Sequence, residues 1–86
     1  GLNLRIHDPV RIADGVELED AEIGPNVTIE TGTRIRASVL RDCIIGENVT
    51  IKECNLHDSL VSDHAELRGV RGSVDLGHHS VVRAGD

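Results

Sequence analysis

Large aliphatic residues recur along this chain at steps of six, with an occasional five. From Ile6 the steps fall on Ile12, Leu18, Ile23, Ile29, Ile35, Leu40, Ile45, Ile51, Leu56, Val61 and Leu67. After one longer step they resume at Leu76 and Val82. Two residues before each lies a second, mostly small series: Val10, Val16, Ala21, Val27, Thr33, Ser38, Cys43, Val49, Cys54, Ser59, Ala65, Val74 and Ser80, with the larger Leu4 at its head. None of these positions is charged, although charged residues make up 28% of the chain. Residues two apart on a strand share a face. The pattern therefore predicts very short strands, each with one small and one large residue inward, one residue outward between them, and a tight turn after. A helix does not fit, because steps of six and five cannot hold one face at a period of 3.6. Val, Ile and Thr are also stiff at χ1 and suit strands.

The turns agree with this register. Where the step is six, the third residue after the aliphatic is Pro9, Gly15, Asn26, Gly32, Asn48, His64 or His79. All but Pro9 belong to types that accept positive φ readily. Three strands per coil then make a triangular prism. Its first face carries Ile6, Ile23, Leu40, Leu56 and Leu76. Its second carries Ile12, Ile29, Ile45, Val61 and Val82, and its third Leu18, Ile35, Ile51 and Leu67. Turns from the second face to the third are sixes. Those from the third to the first are fives, apart from the last. The expected fold is an all-β parallel β-helix of about four and a half triangular coils, stacked about 4.8 Å apart. Each coil relies on its neighbours, as in any solenoid. The long step predicts a protruding loop at residues 68–73, with Arg68 and Arg71 available to a partner or an anion.

Composition sharpens this reading. The 86 residues include no Phe, Trp, Tyr or Met, so Leu, Ile and Val alone must fill an interior of uniform width. The formal net charge of -6 with no evident basic stripe argues against nucleic-acid binding, where phosphate contacts dominate affinity. No apolar run approaches membrane-spanning length, and no signal peptide opens the chain. Cys43 and Cys54 fall at inward small-residue positions on different faces, where a disulfide would break the register. They read as core, and a reducing, cytoplasmic setting is expected.

With the hexads placed, the chain resembles the C-terminal hexapeptide-repeat domain of sugar-1-phosphate nucleotidyltransferases, of the glucose-1-phosphate thymidylyltransferase-like kind. Pro9-Val10-Arg11-Ile12 resembles their opening coil, and Ile23-Gly24-Pro25-Asn26-Val27-Thr28-Ile29 their IGP coil. Ser59-Leu60-Val61 and Leu76-Gly77-His78-His79-Ser80-Val81-Val82 resemble their closing coils. The resemblance implies left-handed winding, against the usual right-handed crossover. It also implies that residues 1–86 form one domain at the C-terminal end of a longer protein. That parent's missing N-terminal catalytic domain would use a divalent metal such as Mg, and no cofactor is expected in this segment. The function so implied is structural and oligomerising, without catalysis. The alternative is an acyltransferase-type hexapeptide β-helix whose active site needs residues outside the segment. Thr31-Gly32-Thr33-Arg34-Ile35-Arg36 looks superficially like a phosphate loop, but it lies in hexad register with no helix to follow.

The histidines carry little chemistry in this frame. His64 and His79 occupy positive-φ turn positions. The tyrosine segment that accompanies the general base of amino-sugar acyltransferases is missing. Resemblance to a carbonic-anhydrase-like three-histidine zinc site would imply a histidine five residues after His78, where Arg83 stands. A weak candidate polar corner gathers His57 and Asp58 with His78 and His79 one coil later, with donors suited to a divalent metal. The stronger candidate is an interface. On the second face the outward residues Arg11, Thr28, Ile44, Leu60 and Val81 end in an apolar stripe of Ile44, Leu60 and Val81, and such a stripe marks a contact surface. The resemblance implies a homo-oligomer through a flat face, a trimer first and a dimer second.

Overall fold

The computed structural model describes residues 3–84. Thirteen short strands wind into five coils. The first holds β1 (Arg5–Ile6), β2 (Val10–Ile12) and β3 (Glu17–Glu19), and the second β4 (Glu22–Ile23), β5 (Val27–Ile29) and β6 (Arg34–Arg36). The third holds β7 (Val39–Ile45) and β8 (Thr50–Lys52), and the fourth β9 (Asn55–Val61) and β10 (Glu66–Arg68). The fifth holds β11 (Arg71–Gly72), β12 (Asp75–Leu76) and β13 (Val81–Arg83). Each strand is parallel to those in the coils above and below. The third face is a sheet of its own, in the order β13-β10-β8-β6-β3. The first and second faces join into one sheet, because β7 and β9 run through the corner between them without leaving the ladder. They bend there at Asp42 and Asp58, with φ of 51° and 48°.

The chain is thus the all-β, three-sided parallel β-helix that the spacing predicts. The inward files stack in register: Ile23 on Leu40 and Leu56, Ile29 on Ile45 and Val61, Ile35 on Ile51 and Leu67. In the middle coils these side chains are fully buried, while Ile6 and Ile12 in the first coil remain 43% and 37% exposed. The difference is physical, since an aliphatic layer is sealed only by coils on both sides of it. The turn expectation holds as well. Gly15, Asn26, Gly32, Asn48, His64 and His79 all have positive φ, between 55° and 78°.

The inward hydroxyls are satisfied, as burial requires. Thr33 Oγ1 donates to Gly46 O at 2.7 Å and accepts from Val49 N at 3.1 Å. Ser38 and Ser59 each donate to the carbonyl two residues back and accept from the next coil, from Cys54 N and Val74 N. Each such side chain joins two coils inside the prism. Polar groups are therefore tolerated in the small-residue file.

The fifth coil differs from expectation. Residues 68–73 are no protruding loop: Arg68 ends β10, and the chain after it forms the first face of that coil through β11. Arg71 pairs with Asn55 and Gly72 with Leu56, and Val70, 7% exposed, sits among the core residues. The steps run from Leu67 to Gly72, Leu76 and Val82, so the third-to-first turn is again a five. Leu76 then belongs to the second face, stacked on Val61, and Val82 to the third, stacked on Leu67. The cause is Gly72. It occupies a large-residue position with no side chain, so the hydrophobic pattern passes over it. At φ 109° the position also requires glycine. Five full coils replace the four and a half expected.

Candidate interaction faces

The second face presents one outward residue per coil: Arg11, Thr28, Ile44, Leu60 and Asp75, in register. Ile44 is 57% exposed and Leu60 43%, held outward because their strand neighbours Cys43, Ile45, Ser59 and Val61 are all buried. Val81 does not continue this stripe. The extra strand at Arg71–Gly72 turns everything after it by one face, and Val81 stands outward on the third face beside Glu66. The stripe is therefore a pair, Ile44 and Leu60, bounded by Thr28 on one side and Asp75 on the other.

The same rotation dissolves the polar corner. His57 Nδ1 and Asp58 Oδ2 are 3.0 Å apart on the first-to-second corner. His78 and His79 lie on the second-to-third corner instead, where His79 N donates to Asp63 O at 3.0 Å. His79 stacks on His64 with ring centroids 4.9 Å apart and planes 6° apart. That pairing continues the turn file of Gly15, Gly32 and Asn48. Among the described residues no three His, Cys, Asp or Glu side chains converge as metal ligands would, so they do not fit a resident divalent cation.

Both cysteines are buried and unpaired. Each thiol donates to the carbonyl two residues back, Cys43 to Arg41 at 3.1 Å and Cys54 to Lys52 at 3.2 Å. Burial pushes both thiols above their ordinary value, because desolvation penalises the thiolate. They behave as small core residues.

One feature escapes a reading that follows only the aliphatics. The residue just after each third-face aliphatic is Glu19, Arg36, Lys52, Arg68 and Arg83, and the last four stack in direct register. A chain of net charge -6 thus carries a straight file of four cations along one edge, correcting the impression that it has no basic stripe. Arg34 pairs with Glu17 at 2.9 Å and Arg36 approaches Glu19 at 3.9 Å. Lys52, Arg68 and Arg83 form no ion pair among the described residues. Reading residues fifteen or sixteen apart, once the register is known, would have found the file.

No family model and no curated protein matches the chain. Among solved structures it is similar to the hexapeptide transferase family protein from Anaplasma phagocytophilum, at 19% identity and a TM-score of 0.42, over 100% of this chain and 73% of that one.

Proposed function

We propose that this β-helix is a non-catalytic assembly module, and that it forms the C-terminal part of a cytoplasmic sugar-1-phosphate nucleotidyltransferase. The observation that carries the assembly reading is the outward stacking of Ile44 on Leu60. Two adjacent branched aliphatics on a flat sheet face gain from leaving water together. The parentage is supported by the resemblance of the IGP coil, residues 23–29, and of the closing coils.

Two experiments test the two halves. Leu60→Asp puts a charge into the apolar pair of the face, so the concentration-dependent rise in sedimentation coefficient should be lost. An unchanged profile in that variant would sink the assembly reading. The native gene product should release pyrophosphate from a sugar phosphate and a nucleoside triphosphate. A product of the same length as this chain, or one active only with acyl-CoA, would remove the nucleotidyltransferase parentage in favour of the acyltransferase-type alternative.

A further inference from the structure

We propose that the chain pairs with a second copy of itself, second face against second face, with the two solenoid axes antiparallel. This rests on the assembly reading above and adds the partner and its orientation. The outward file reads Arg11, Thr28, Ile44, Leu60, Asp75 from the first coil to the fifth. It has a cation at one end, an anion at the other and an aliphatic in the middle.

Two flat faces related by a two-fold axis meet in one of two ways. If the axis runs along the solenoid, every residue meets its own equivalent, so Arg11 faces Arg11 and Asp75 faces Asp75. If it runs along the central strand, the first coil of one copy meets the fifth of the other. Arg11 then faces Asp75 of the other copy at both ends, Thr28 faces Leu60, and Ile44 packs on Ile44. An isologous contact must be self-complementary, and the charge order of this file is so only in the antiparallel arrangement. The like-charge meetings on that seam are Asp42 with its equivalent at one corner and Glu47 with its equivalent at the other. The Asp42 carboxylate already accepts a hydrogen bond from Asn26 Nδ2 at 3.0 Å.

A three-fold ring is less compatible. With parallel axes, surfaces in contact must have normals about 60° apart, which on a triangular prism sets a face against a neighbouring corner. The corners flanking the second face carry Asp42 and Asp58 on one side and Asp14, Glu47 and Asp63 on the other. Either would set carboxylates on Ile44 and Leu60. The face is small. The molecule measures 22 Å across, so a face of roughly 400 Å² is about half of the 800 Å² a standard interface buries per partner. The segment alone should therefore pair weakly, with Kd on the order of 0.1–1 mM.

The test uses the 86-residue chain with Cys43→Ser and Cys54→Ser, substitutions that copy Ser59 and Ser38 in the same inward files. Thr28→Cys and Leu60→Cys are made singly, mixed, and treated with a short bismaleimide. Antiparallel pairing predicts that the mixed Thr28→Cys/Leu60→Cys product dominates. Dominant self-linked products from each variant would overturn the orientation while leaving self-association standing. Yields no higher than for Glu66→Cys on the third face would overturn self-association itself, and the assembly reading with it. As a second measurement, Arg11→Asp should weaken the dimer about tenfold across its two equivalent ion pairs, and adding Asp75→Arg should restore it. No rescue by the double charge swap would also refute the pairing.

Discussion

Lys52→Glu should make the protein more stable, although it touches no core residue. Lys52 stands in the cation file between Arg36 and Arg68, one coil from each. Two unit charges about 4.8 Å apart in water repel by about 0.9 kcal/mol, and salt near the physiological level roughly halves this. Removing the charge with Lys52→Gln relieves two such repulsions, and reversing it turns both into attractions. Measured exposed pairs fall at about 0.2–1 kcal/mol each. Glu66, diagonal to the site on the next strand, and Glu53 next in the chain each take back part of the gain. The expected balance is about 1 kcal/mol for Lys52→Glu and half that for Lys52→Gln. That corresponds to a rise of about 4–8 °C in Tm for the acidic variant in a domain this small. Urea unfolding at low salt and again at high salt is the assay, and screening should shrink the gain. Equal stability of all three proteins at low salt, or a gain that grows with salt, would refute the reasoning. In either case the file would not be behaving as a set of like charges held in register.

Two further outcomes follow from the interior. Gly24 has φ 101° and lies against the preceding coil, where an added Cβ would collide with the His7 carbonyl oxygen. Gly24→Ala should cost about 3 kcal/mol or more, since strain and overlap add. Gly77→Ala, with no atom near its Cβ position and no positive φ, should be neutral or stabilise by about 0.4–1 kcal/mol. Urea titration of the pair decides whether glycine is held by contact or merely present. The thiols give a pH prediction. Burial raises the folded-state pKa of Cys43 and Cys54, so their share of stability is complete below the unfolded thiol pKa. It is lost as pH rises from that value through the raised folded one. Stability should fall across that alkaline window in the native chain and fall less in Cys43→Ser/Cys54→Ser. Equal alkaline slopes would show that the thiols are not the cause.

Much of this architecture is legible along the chain because burial acts on each residue separately. The inward positions from Ile6 to Leu67 are aliphatic or small for the same reason in every coil, and that repetition shows as spacing. The left-handed backbone at Asn48 and His64 is legible too, since few residue types tolerate it. Cys43 and Cys54 reveal themselves as core by falling in the small-residue file.

What the spacing could not decide is which residues become neighbours on the outside. That depends on the sum of all turn lengths before them, and outward side chains leave no periodic trace of their own. One strand passed over at Gly72, where no side chain marks the inward position, turns the remainder of the chain by a third of a coil. Val81 thereby leaves Ile44 and Leu60 for the third face, and His78 and His79 leave His57 and Asp58 for a different corner. The cation file of Arg36, Lys52, Arg68 and Arg83 was invisible for a related reason, because its members lie fifteen or sixteen residues apart and meet only through the coil-to-coil ladder. The sequence alone determined that a three-sided parallel β-helix forms and what fills it, because exclusion from water selects each inward residue independently. Only the tertiary structure decided which polar and apolar groups share an outer face, because register is a cumulative property of the winding and no single residue carries it.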